Sequence, residues 1–180
     1  IDAWRAARPR LADVHVDGLL VRSDNPAVQL DFNAIAEGVA AADALHMVAA
    51  LGVHDALLNL GGDVAALGDA GGRPWRVALR DPRGGALGWV ELAGGEALFA
   101  SGSYAKFRED DDRRRPHVVD PRSGEPATGS AASAVLDLDP VLADAAATAL
   151  LVAGAQGFDA LVRDLQLGCA LLLTDDDELL

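Results

Sequence analysis

The stretch ADAAAT at 143–148 carries two oxygen donors four positions apart, Asp144 and Thr148. On a helix that spacing stacks carboxylate and hydroxyl on one face, about one turn from each other. Hard cations such as Mg²⁺ take a few protein oxygens of this kind and leave their other positions to water and substrate phosphates. The same spacing also suits a structural role. Asp144 then sits favourably at the positive end of the helix dipole, and Thr148 bonds back within the helix.

Three further stretches set polar groups among apolar ones. In HVVDPRSG at 117–124, His117 is either a general base, with an unperturbed pKa near ~6.5, or an ordinary strand residue. Asp120 then bonds its own backbone in the Pro-containing turn. In NLGGD at 59–63, Gly61 and Gly62 supply positive φ for a tight turn, or let a ligand approach the backbone closely beside Asp63. Ser101 and Gly102 in ASGSY end a strand, or present backbone and hydroxyl donors to a ligand. In LDFNAIAEG, from Leu30, a strand end runs into a helix with Asn33 at its cap and Glu37 one turn in. His15, His46 and His54 have no comparable polar setting.

These groups need elements to hold them. AVQLDF reads as a short strand, and residues 34–52 as a helix with Ile35, Val39, Ala42, Leu45 and Val48 or Ala49 at helical spacing. ALLNLGGDVAALG reads as a β-hairpin turning at its glycines, and WRVALRDP, GWVELAG and EALFASGS as strands between Pro and Gly punctuation. REDDDRRRP, acids followed by bases, reads as a solvated loop. ASAVLDLD is a strand, PVLADAAATALLVAG a helix with Pro140 near its first turn, GFDALVRDL a shorter helix and CALLLTDDDELL a closing strand pair. Strand–helix alternation mixed with hairpins favours an α+β fold over a doubly wound parallel sheet.

Composition narrows the function classes. A chain of 180 residues, 51% of them hydrophobic, suits one globular domain with a sizeable core. A net charge of −13 and a pI near 4.5 argue against nucleic-acid binding, which rests on basic surfaces, and imply that any bound phosphate arrives with a cation. Cys169 is the single cysteine, so it forms no internal disulfide, and its apolar setting LGCALLLT predicts packing as a small hydrophobe. No signal peptide or membrane span is visible: VLADAAATALLVAGA is interrupted by Asp144 and falls short of the ~20 residues a spanning helix needs. The signatures G-x-x-x-x-G-K-[ST], H-E-x-x-H, G-x-S-x-G and C-x-x-C are absent.

Taken in order, LDFNAIAEG, LLNLGGDVAALG, ASGSYAKF, HVVDPRSGEP and ADAAATALLVAG resemble the ApbE family of flavin transferases, and the pair HxxDPxSG and ADxxAT is the most specific part. The resemblance covers the C-terminal half to two-thirds of a usual member. A missing N-terminal part, which in the family supplies one wall of the flavin pocket, is therefore expected, as the absent initiator Met also suggests. It implies a T-fold-like core of mixed and antiparallel sheets with packed helices, over residues 1–180 as one domain. It also implies Mg²⁺-dependent transfer of FMN from FAD, the donor, to a Thr or Ser hydroxyl of an acceptor protein, with release of AMP. Some relatives instead hydrolyse FAD to FMN and AMP, and a non-catalytic flavin-binding protein is the remaining alternative.

Carried over residue by residue, the resemblance makes Asp144, Thr148 and the carbonyls of Ala34 and Ala147 the metal ligands, and His117 the base. It places Asp31, Glu37 and Val118 in contact with FAD, and groups Gly61, Gly62, Asp63, Ser101, Gly102 and Asp120 with the nucleotide-binding residues. Many relatives lie outside the cytoplasmic membrane, through an anchor or a membrane-bound acceptor. One departure stands out: many members carry Lys where this chain has Glu37. A carboxylate cannot replace that donor and, when ionised, opposes phosphate unless it meets the metal shell through water.

Overall fold

The computed structural model describes residues 2–103, 107–110 and 113–180. In chain order its elements are α1 (Asp2–Ala7), a 3-10 turn (Leu11–Asp13), β1 (Val14–Asp17), β2 (Leu20–Ser23), α2 (Asn33–Ala50), β3 (Ala56–Leu60) and β4 (Asp63–Leu67). They continue with β5 (Trp75–Arg80), β6 (Ala86–Leu92), β7 (Ala97–Gly102), β8 (Phe107–Asp110), β9 (Arg113–Pro116), β10 (Val119–Asp120) and β11 (Glu125–Pro126). The chain closes with β12 (Ser130–Asp137), α3 (Pro140–Asp164) and β13 (Cys169–Thr174).

The centre is a five-stranded antiparallel sheet in the order β13-β12-β7-β4-β3. Side chains alternate across a strand, so one sequence feeds two cores. Ala65, Ala97, Phe99 and Val135 face the helices with Ala41, Ala143, Ala146, Ala147 and Leu150, while Val64, Ala66, Leu98 and Ala134 pack on the other face against the β5–β6 hairpin. The expected α+β arrangement of antiparallel sheets and packed helices is present.

Helix α3 carries Pro140 at its start, and the Asp139 side chain accepts from the N–H groups of Val141 and Leu142 as its cap. The two helices read from sequence are one helix bent at Gly154, where φ 63° and ψ −172° leave the helical region. At 25 residues α3 is long and apolar enough to cross a membrane by length and composition alone; it buries one stripe from Pro140 to Leu151 against the rest of the fold. Helix α2 meets α3 at Gly38, where a Cβ would lie 2.5 Å from the Pro140 carbonyl oxygen and 2.9 Å from Val141 Cα. Only glycine permits that approach.

Five further sequence expectations change. Residues 27–32 form no strand, and the Arg-rich opening instead contains α1 and the β1–β2 hairpin. Asn33 is the first residue of α2 rather than its cap: the Asp31 carboxylate accepts the Asn33 N–H at 2.9 Å. The charged stretch read as a loop pairs as the β8–β9 hairpin, with residues 111–112 outside the described set, because four cross-strand partners satisfy its backbone. The closing strand pair is a strand with one bridge, Leu173 to Leu179. Cys169 is exposed rather than packed, at the start of the edge strand β13.

Candidate active site

The site grows from the contact between α2 and α3. Asp144 sits in the buried stripe of α3, 8% exposed, and its Oδ2 accepts the Gly38 N–H at 2.8 Å, with the Glu37 N–H also donating to the carboxylate. In a regular helix the Gly38 N–H serves the carbonyl four residues back, that of Ala34. Asp144 therefore engages the donor that belongs to Ala34, which binds the two motifs together across 106 residues of sequence. Desolvation raises the Asp144 pKa, with the Glu37 charge adding to the rise, while the two backbone N–H groups oppose it.

Asp63 comes from the opposite direction. The Gly61-Gly62 turn, at φ 69° and 128°, ends β3 and lets β4 begin at Asp63, whose side chain shares the helix-facing side of β4 with Ala65. Its Oδ1 accepts the Ala100 N–H at 2.7 Å, and its carboxyl hydrogen-bonds the Glu37 side chain. A carboxyl–carboxyl hydrogen bond needs a proton on one partner. Burial first, then Glu37 and Asp144, push the Asp63 pKa up to about 7 against the opposing Ala100 bond. Glu37 and Asp144 thus both act on Asp63, and the groups that shift Asp63 and Asp144 include no basic side chain among the described residues.

Three hydroxyls complete the inner wall. Ser101 Oγ and Thr148 Oγ1 hydrogen-bond at 2.8 Å, and Ser133 Oγ donates to the Ala147 carbonyl at 2.6 Å. Thr148 thus bonds a strand hydroxyl, and Asp144 reaches another helix, which departs from the purely local roles open to both. The Ala147 carbonyl also lies in the regular part of α3, where the Leu151 N–H is its ordinary partner. Both lone pairs being served, Ala147 coordinates a cation only by sharing or giving up one of these bonds.

The other expected residues make contacts of their own. Asp31 is exposed and bonds locally to Asn33. Asp120 spends its carboxylate on Arg122 through Nε and Nη2 at 2.9 Å each, which holds its pKa below the usual carboxylate range, and its carbonyl accepts from Gly124. Arg122 Nη2 also donates to the Val152 carbonyl at 3.3 Å, docking this turn on α3 about one helical turn past Thr148. His117 lies exposed in the bend between β9 and β10, and the carbonyl of its neighbour Val118 accepts from Ala127. Gly61 and Gly62 are exposed with open space where a Cβ would stand, while Gly102 is half-buried at the end of β7.

Sequence reasoning missed Gly38 and Ser133. Gly38 reads as an ordinary helix glycine, and Ser133 is signalled only by its even spacing from Val135 on an inward strand face.

Whether Mg²⁺ suits these residues turns on donor chemistry. Among the described residues no three His, Cys, Asp or Glu side chains form a metal-holding group. A cation here would rely on Asp144 with hydroxyl and carbonyl oxygens, namely Thr148 and Ala34. That all-oxygen, sparsely charged set fits an ion that keeps several waters and binds substrate phosphates.

The ApbE family model matches residues 1–173. A FAD:protein FMN transferase of Rhodobacter capsulatus is 44% identical over 172 residues, covering 95% of this chain and 33% of the relative. One of Klebsiella pneumoniae (strain 342) is 30% identical over 161 residues, covering 87% and 46%. An ApbE protein of Thermotoga maritima superimposes with a TM-score of 0.89 at 26% identity over 99% of this chain and 60% of that one. The Pseudomonas stutzeri flavinyl transferase ApbE, apo form, gives 0.79 at 34% identity over 96% and 55%. The chain thus spans a third to three-fifths of the length of these relatives. With the five motifs in order, the fold superimposed and the family model matched over nearly its whole length, the chain belongs to the ApbE family.

Proposed function

We propose that this chain carries the catalytic half of an Mg²⁺-dependent FAD:protein FMN transferase, which moves FMN to a Thr or Ser hydroxyl of an acceptor protein and releases AMP. The observation that supports it most is the Asp144–Gly38 bond, which joins the ADAAAT helix to the LDFNAIAEG helix and sets Asp144 beside the first turn that holds Ala34. In this reading Asp144, Thr148 and the Ala34 carbonyl hold Mg²⁺, which when bound supplies charge stabilisation at the FAD pyrophosphate.

The residues do the rest. His117 removes the acceptor hydroxyl proton, a contribution of typically ~10²–10⁴-fold in rate for general-base catalysis. The hydroxyl oxygen forms a bond to the FMN phosphorus, the bond from that phosphorus to the bridging oxygen breaks, and AMP leaves with both bonding electrons. The Gly61-Gly62 turn, open on its outer side, lets the nucleotide approach the backbone, and Val118 lines its pocket.

The test is incubation of the full chain with FAD, Mg²⁺ and a peptide carrying a Thr flavinylation motif, followed by mass spectrometry. The expected result is a peptide heavier by FMN, with AMP formed in equal amount and both lost in Asp144→Asn. AMP and free FMN formed equally well without peptide point instead to FAD hydrolysis. No product of either kind overturns the enzymatic reading.

A further inference from the structure

Ser101 on β7 and Ser133 on β12 stand directly opposite each other in register. Strand alternation turns both toward α3, on the face that holds Ala97, Phe99 and Val135. There they grip consecutive helix residues, Ser133 Oγ the Ala147 carbonyl and Ser101 Oγ the Thr148 hydroxyl. The helix surface around them is built from Ala143, Ala146 and Ala147, with Leu150 and Leu151 about a turn further on, all buried. Methyl groups pack closely, yet offer little relief to resist rotation of a helix about its axis. Directional hydrogen bonds supply that resistance.

We propose that Ser101 and Ser133 are a positioning clamp that sets the rotation of α3 and with it the aim of the Asp144 carboxylate and the Thr148 hydroxyl. The inference rests on the reading of these two groups as cation donors. A hydroxyl that offers its lone pair to a cation must send its proton elsewhere, and Ser101 Oγ, 2.8 Å from Thr148 Oγ1 and able to donate or accept, can take it. Ser133 acts one residue earlier, through the backbone. Each serine acts through its partner on α3, as a positioning rather than a catalytic residue.

The test uses the full chain and Mn²⁺ alone, with free Mn²⁺ followed by its electron paramagnetic resonance signal well below the melting temperature. Ser101→Ala and Ser133→Ala are each expected to weaken Mn²⁺ binding about tenfold, the scale on which outer partners of metal ligands act, and Ser101→Thr, which keeps the hydroxyl, to return to within about twofold of the wild type. Wild-type Mn²⁺ affinity in both alanine variants overturns the clamp, even where their melting temperatures fall, because a merely structural role moves stability alone. Failure of Ser101→Thr to recover affinity overturns it as well. Should Ser133→Ala not fold, the Ser101 pair decides, since that side chain is only half-buried. Absence of Mn²⁺ binding by the wild type overturns the metal reading and the clamp together, whereas binding indifferent to the serines overturns the clamp alone.

Discussion

Asp63→Asn isolates the electrostatic strain of the acidic centre, because the amide keeps an oxygen to accept the Ala100 N–H while removing the charge. The folded pKa of Asp63 is about 7 against an ordinary 3.8, raised by burial and by Glu37 and Asp144. Between those values the folded chain holds a proton that the unfolded chain has lost. Stability therefore falls as pH rises through this window, and the whole penalty stands above about pH 7. A gap of roughly 3 units at ~1.4 kcal/mol each sets a ceiling of about 4 kcal/mol, and partial solvent access of the carboxyl reduces it to about 2 kcal/mol. At roughly 2–4 °C per kcal/mol for a chain of this size, Asp63→Asn is expected to melt about 4–8 °C above the wild type at pH 8. Near pH 5 the unfolded carboxyl is already ionised while the folded one keeps its proton, so only about a third of the penalty stands and the difference should shrink to about 1–3 °C. The assay is thermal unfolding followed by circular dichroism, in metal-free buffer, at both pH values. An equal difference at the two pH values, or a variant less stable than wild type at pH 8, refutes the proposed burden on Asp63.

Other substitutions address the scaffold around it. Asp144→Asn keeps an acceptor for the Gly38 N–H, so its stability should change by no more than about 1 kcal/mol while the rise in melting temperature on adding Mg²⁺ disappears. Gly38→Ala drives a Cβ to 2.5 Å from the Pro140 carbonyl oxygen. The resulting separation of α2 from α3 should outweigh a helix-propensity gain of about 1 kcal/mol and destabilise by about 1–3 kcal/mol in denaturant unfolding. Gly154→Ala places a side chain at φ 63°, ψ −172°, a region essentially confined to glycine, and should cost about 1–3 kcal/mol in the same measurement.

Most of the scaffold was legible because its signals are local. The Gly-Gly turn between β3 and β4, the Pro-opened α3 and the apolar runs of β7 and β12 between turn residues announce themselves through backbone preference and punctuation. The β1–β2 hairpin was not legible, since Leu20 and Val21 are exposed rather than alternating between core and solvent. At the site, spacing put Asp144 and Thr148 on one face but said nothing of their partners. Those come from Gly38, 106 residues away, and Ser101, 47 residues away, and only the packing of α3 on the sheet and α2 supplies them.

Glu37 changes meaning when its partner is known. Read alone, it is a negative charge that opposes a pyrophosphate. In the fold it hydrogen-bonds Asp63, whose carboxyl keeps its proton up to about pH 7, so the two present less charge than two free carboxylates. Relief by proton sharing is partial, because Asp144 adds to the same field and no basic side chain among the described residues acts on Asp63 or Asp144. A protein of net charge −13 with this centre gains more from a divalent ion than one with a lysine in place. Cation and pyrophosphate binding should therefore be strongly coupled here: each neutralises part of what repels the other, and linkage makes that help reciprocal.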